Sequence, residues 1–158
     1  MDQPLTLATV LIRGRMLLPV EWVWLARDPA AVRLCVSRSQ YGSPPRPVPS
    51  RENPPERPPP GVAMWCVARA QLRDALAGRR PGFGHVVLAT SPHRRRVLGI
   101  ALWTADGWWR AITDSHVATQ FLGESYAHVS SDREAVMVAA AANRLDPARL
   151  AELEGEAT

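Results

Sequence analysis

Lysine is absent from this chain: all 19 basic residues are arginine. Its positive charge is therefore permanent and suited to bidentate pairing with carboxylate or phosphate. Together with the alanine and proline excess, this is the mark of a GC-rich coding sequence, which speaks to source and not to activity. Cysteine is scarce. Cys35 and Cys66 each sit in an apolar run with no second cysteine or histidine at metal-ligand spacing, so no zinc site is expected, and both read as small buried hydrophobes of a reducing cytoplasm. Long hydrophobic runs are missing as well. The longest, residues 16–26, contains Pro19 and Glu21 and falls short of the roughly 20 residues that span a bilayer. The first residues lack a basic stretch followed by an apolar one, the mark of a secretory signal, so the protein is expected in the cytoplasm.

Catalytic signatures are equally sparse. No Gly-x-Ser-x-Gly elbow, His-Glu-x-x-His helix or phosphate-cradling glycine loop occurs. Gly82-x-Gly84 lacks a third glycine and a following helix, which argues against a dinucleotide site. Of the four histidines, His93 lies among Arg94, Arg95 and Arg96, whose charge opposes its protonation. His116 and His128 stand too far apart to share a helix face cleanly, and His85 follows the glycine turn. The acidic cluster Glu152, Glu154 and Glu156 belongs to a tail expected to fray. No enzyme, cofactor or metal site is expected.

What is present is one domain's worth of polypeptide, 158 residues with 46% hydrophobic and 22% charged side chains and a formal charge of +4. A charge this modest permits contact with nucleic acid or an acidic protein but demands neither. Proline is the outlier. Nine of the 15 prolines fall in residues 38–61 among Arg, Ser, Glu and Asn. Such a segment cannot bury enough surface to offset its ordering entropy and reads as an extended or disordered insertion. Its Pro-Pro-Arg-Pro-Val-Pro stretch, residues 44–49, has the form that docks on aromatic grooves.

Periodicity predicts strands over residues 5–12, 17–26, 32–37, 62–67, 85–89, 97–104 and 108–112. Val20, Trp22 and Trp24 share one face of the second strand, and Asp28-Pro29-Ala30-Ala31 reads as the turn of a hairpin. A helix is expected over residues 69–77, with Gly78 as its left-handed cap. Asp114 or Ser115 caps a second helix, whose inward stripe is Val117, Ala118, Phe121, Leu122 and Ser125. Ser131-Asp132-Arg133-Glu134 matches the capping-box pattern of a third helix reaching residue 145, and Asp146-Pro147 starts a final turn carrying Leu150 and Leu153. The result is an α+β domain of mainly antiparallel sheets, about six to eight strands with two or three helices. Residues 1–134 form the domain, interrupted by the 38–61 insertion, and residues 135–158 a helical extension.

Four local patterns in chain order resemble the SsgA-like sporulation and cell division family of actinomycetes. Leu18-Pro19-Val20-Glu21 followed by Arg27-Asp28-Pro29-x-Ala31-Val32-Arg33-Leu34 is similar to its opening hairpin. Trp65-x-x-Ala68-Arg69-x-x-Leu72-x-x-Ala75-Leu76 resembles its strand-to-helix junction, and Pro81-Gly82-x-Gly84-x-Val86 its glycine turn. Phe121-Leu122-x-x-Ser125-Tyr126-x-x-Val129, ahead of Glu134, resembles its second helix. The resemblance covers residues 5–134 apart from the insertion. It implies a whirly-like fold, a trimer, and a non-catalytic scaffold that positions the division machinery at septa through partners such as the tubulin-like GTPase FtsZ or SsgA-like paralogues. The insertion, the Ala-rich extension, and His85 where the family commonly carries Asp depart from the pattern.

The same resemblance to whirly-type folds raises single-stranded nucleic-acid binding as the rival reading, since Arg94, Arg95 and Arg96 and six tryptophans supply the chemistry of stacking and phosphate contact. Trp108 and Trp109 are neighbours on one strand and cannot both point inward, so one of them is expected at the surface or in a contact between copies of the chain.

Overall fold

The computed structural model describes residues 3–48, 58–79 and 84–143. Expectations that fall on Gly82, on residues 49–57 and on residues 144–158 lie outside it. Seven strands form one antiparallel sheet: β1 (Leu5–Arg13), β2 (Met16–Leu25), β3 (Asp28–Ser37), β4 (Val62–Ala68), β5 (Val86–Ser91), β6 (Arg94–Thr104) and β7 (Gly107–Asp114). Their spatial order is β4-β3-β2-β1-β7-β6-β5. Three helices complete the described residues: α1 (Arg69–Leu76), α2 (Ser115–His128) and α3 (Ser131–Asn143). The architecture is α+β, as the alternation of apolar residues indicates.

The sheet is two hairpin systems joined at a seam between β1 and β7. Ile12 pairs with Ile112 there, and the Thr113 hydroxyl donates to the Val10 carbonyl at 2.9 Å. The sheet curls until its edges approach: the Trp65 indole N–H on β4 reaches the Trp103 carbonyl on β6 at 3.1 Å. Period-2 alternation then decides what lies inside. Leu18, Val20, Trp22 and Trp24 on β2, Val32, Leu34 and Val36 on β3, and Leu98, Ile100 and Leu102 on β6 all bury their side chains on the concave face. Helix α2 closes that face with Ala118, Phe121 and Leu122, and Phe121 lies 6.1 Å from the Trp22 ring.

Capping chemistry ends the helices largely where expected. Gly78, at φ +73°, lets Arg79 N–H reach the Asp74 carbonyl and Gly78 N–H the Ala75 carbonyl, at 2.8 and 3.0 Å. This is the paired closure that a left-handed glycine makes possible. The Asp114 carboxylate accepts from His116 N–H at 2.7 Å and starts α2. For α3 the cap is one residue earlier than the capping-box pattern suggests: the Ser130 hydroxyl accepts from Arg133 N–H. Glu134 does not reach back to the helix start, because it is drawn to Arg69 instead.

The β2–β3 connection also differs from expectation. The chain turns at Ala26-Arg27, and Asp28-Pro29 already belongs to β3. Register jumps from Trp24↔Val32 to Leu25↔Asp28, so residues 29–31 bulge out of the ladder. Proline fits there because no ladder bond needs its missing N–H, and its carbonyl accepts the Trp24 indole N–H at 3.0 Å.

Of the Pro-rich segment, residues 39–42 form a bridged turn and residues 43–48 run on to the β6–β7 hairpin. Ser39 donates its hydroxyl to the Leu17 carbonyl at 2.6 Å, Pro47 bridges Thr104, and the Arg46 carbonyl accepts Ala105 N–H at 3.0 Å.

Candidate interaction surface

A buried arginine organises the helix side of the molecule. Ala68, the residue before α1, has no side chain to cap it, and Gln71 Oε1 accepts its N–H instead. The first helical residue, Arg69, then points inward and is fully buried. Its guanidinium donates Nε to Glu134 Oε2 at 2.9 Å, pairs a second time with the same oxygen through Nη2, and gives Nη1 to the Ser125 carbonyl at 3.0 Å. Its charged plane lies 3.9 Å over the Tyr126 ring. One side chain thus ties α1, α2 and α3 together. The charge is tolerable inside because it is paired, hydrogen-bonded and stacked. Helical spacing puts Ala68, Leu72, Ala75 and Leu76 on one face of α1, of which Leu72 and Ala75 are buried and Ala68 is exposed, but it gives no reason to bury Arg69. The usable signal is Glu134, one of two carboxylates, with Asp132, in the first turn of an Ala-rich helix.

The residues singled out from sequence fall into separate groups. Trp65, Arg69, Phe121 and Leu122 are buried around the concave face. Asp28 and Pro29 shape the bulge beside it. Gly84, at φ +149°, leads into β5. Asp28 and Pro29 also line a small surface cavity together with Arg27. Of the tryptophan pair, Trp109 is buried and Trp108 is 45% exposed, with Trp108 packed edge-on against Trp103 at 5.1 Å. Arg94 and Arg96 are exposed at the opposite end of β6. The side chain of Arg95 lies outside the described set. Trp103 lies seven positions after Arg96, about 23 Å along a strand, so the arginines and the accessible tryptophans do not form one site.

The convex face of the sheet is different in character. Val10 and Ile12 on β1, Leu17 on β2 and Ile112 on β7 are all exposed there. Cross-strand pairing sets Leu17 beside Ile12 and Ile12 beside Ile112, and Gly99 continues the row on β6. The row is apolar across four central strands, and among the described residues no helix covers it. Cys35 and Cys66 also belong to this face, half-buried on β3 and β4. Sequence reading placed them in the core, but alternation gives the inward positions to Leu34, Val36, Trp65 and Val67. Burial pushes both thiols above their ordinary pKa, with Arg33 opposing that shift.

Ionisable side chains line two cavities among the described residues: Arg27 and Asp28 one of about 250 Å³, Arg73 and Glu134 one of about 480 Å³. A cavity of about 340 Å³ between the ends of α1 and β5 and the start of α2 is lined by Thr90, Ser91, Ser115 and Thr119 hydroxyls without an ionisable group. The four histidines are exposed and scattered. No cluster of three His, Cys, Asp or Glu is placed to hold a metal, and no described helix is long and apolar enough to cross a membrane.

No family model and no curated protein matches the chain in sequence. Solved structures do. SsgB of Streptomyces coelicolor, in which mutations correlate to longitudinal cell division during sporulation, is similar with a TM-score of 0.60 and 21% identity, over 87% of this chain and 97% of that one. The SsgA-like sporulation-specific cell division protein of Thermobifida fusca YX-ER1 is similar with a TM-score of 0.62 and 19% identity, over 90% of this chain and 93% of that one. The chain therefore has the fold of the SsgA-like proteins along nearly its whole length.

Proposed function

We propose that this chain is a non-catalytic protein of sporulation-associated cell division that works by binding proteins, and that it does so as a homo-oligomer. The observation that supports this most is the shared fold over nearly the full length of two SsgA-like division proteins. The uncovered row Leu17–Ile12–Ile112 is the contact between copies of the chain. It is apolar, central and free of charge, as the core of a subunit interface is. Division partners such as FtsZ or SsgA-like paralogues then meet the assembled oligomer at septa.

Co-sedimentation with polymerised FtsZ and native gels with paralogues test the partner claim: binding to at least one is expected, and binding to none would contradict it. A fluorescent fusion in dividing hyphae is expected at septa.

Single-strand nucleic-acid binding retains one supporting observation, the exposed Arg94 and Arg96. It predicts affinity that falls steeply with salt and is lost on Arg94→Ala/Arg96→Ala. The 23 Å between those arginines and the accessible tryptophans weighs against it.

A further inference from the structure

Three sulfur-bearing side chains meet on the convex face where β3 runs beside β4. Antiparallel pairing sets Cys35 directly opposite Met64 and Arg33 directly opposite Cys66. Met64 and Cys66 are two positions apart on one strand and therefore share its outer face. Directly opposed Cβ atoms stand about 5 Å apart, and the diagonal from Cys35 to Cys66 spans about 7–8 Å between Cα atoms. Cys35, Met64 and Cys66 thus ring one small patch of sheet. Both thiols are half-buried, and Met64 is buried, 9% exposed. The trio is two thiols and a thioether, a donor set that suits only soft ions.

We infer that Cys35, Met64 and Cys66 form a binding site for a soft monovalent metal ion, cuprous copper by its chemistry. Thiolate and thioether ligands select Cu(I) over harder ions. Zinc calls for four donors in a structural site. The carboxylate nearest by register, Glu21 opposite Cys35, does not join the two cysteines in a group of three. A disulfide is the other fate of two neighbouring thiols. It needs Cα atoms within about 7 Å, which a diagonal pair meets only at its short limit. An ion between the sulfurs adds two bonds of about 2.3 Å, as in zinc thiolates, and spans the diagonal without moving the strands. Binding releases both thiol protons to water and leaves the copper oxidation state unchanged, because coordination deprotonates a thiol outright. Two thiolates on one cuprous ion carry a net negative charge. Arg33 answers that charge: it stands opposite Cys66 and hydrogen-bonds its sulfur. Partners of this kind orient metal ligands from behind. The site lies on β3 and β4, apart from the apolar row that crosses β2, β1, β7 and β6, so the inference goes beyond the proposed contact between copies.

Anaerobic titration of the reduced full chain with Cu(I), in competition with a chromogenic cuprous chelator, tests it. One ion per chain is expected, with an X-ray absorption shell of sulfur alone. Cys35→Ser/Cys66→Ser is expected to abolish that stoichiometric ion. Met64→Leu, which nearly conserves volume, is expected to keep the fold, weaken binding and remove one sulfur from the shell. Arg33→Gln is expected to weaken binding about tenfold. Failure of the unsubstituted chain to hold one ion, or nitrogen or oxygen donors in its shell, would overturn the inference whatever the variants do. An ion retained by the double serine variant would overturn it too, as would tighter binding in Arg33→Gln or displacement of the copper by equimolar zinc.

Discussion

The two faces of one sheet are treated in opposite ways. The concave face is finished: Trp22, Trp24, Trp65 and Phe121 fill it, and a single arginine closes the helix layer with every polar contact directed at a partner. The one loose end among its described side chains is the Trp22 indole N–H, buried without an acceptor. The convex face presents Val10, Ile12, Leu17 and Ile112 to solvent in a row. Both faces come from the same alternating strands, so hydrophobic periodicity cannot by itself distinguish core from interface. What separates them is which face the helices cover.

The sharpest contrast between the faces is the cost of removing a side chain. Arg69→Ala leaves Glu134 and the Ser125 carbonyl without their donor, and is expected to lower unfolding free energy by about 3–5 kcal/mol, read by denaturant or thermal melts. A loss near zero would mean that the three helices are held by something other than this node. Asp114→Ala removes the α2 cap and is expected to cost about 1 kcal/mol; an effect as large as that of Arg69→Ala would place the closure of the concave face in α2 alone.

Alkaline pH probes the convex face through its half-buried thiols. Their folded-state pKa values lie above the ordinary thiol value, so the unfolded chain releases those protons first. The stability they contribute is full below the ordinary thiol pKa and declines as pH rises through the folded values. The chain contains no lysine, which removes one source of alkaline titration. Melting temperature is expected to fall above about pH 8.5, with a shallower slope in Cys35→Ser/Cys66→Ser; identical slopes would mean the thiols are as solvated folded as unfolded. The smallest expected effect is that of Trp108→Ala on the stability of the isolated chain, within about 1 kcal/mol given its exposure. A loss several times larger would show that its edge contact with Trp103 belongs to the core.

Much of this was legible in the chain itself. Alternation located all seven strands, Gly78 and Asp114 marked helix ends, and Trp108-Trp109 forced one ring outward by geometry alone. The failures share a cause: each needed a neighbour remote in sequence. Asp28-Pro29 satisfies the rules for a turn, yet the turn falls at Ala26-Arg27 because pairing with β2 resumes at Asp28. Glu134 fits a capping box, yet an arginine 65 positions earlier competes for its carboxylate and wins by burial. Cys35 and Cys66 sit in apolar runs whose inward positions are taken by larger neighbours. The convex row was unreadable because Leu17, Ile12 and Ile112 become adjacent only when β1 joins β2 and β7.

The central claim, that the convex row joins copies of the chain, is tested most directly by molar mass in solution. Light scattering is expected to give a multiple of the single-chain mass for the unsubstituted protein, and the single-chain mass for Ile12→Asp/Ile112→Asp, with the melting temperature of the variant's fold little changed. A strict monomer before substitution, or an assembly that survives both aspartates, would contradict it.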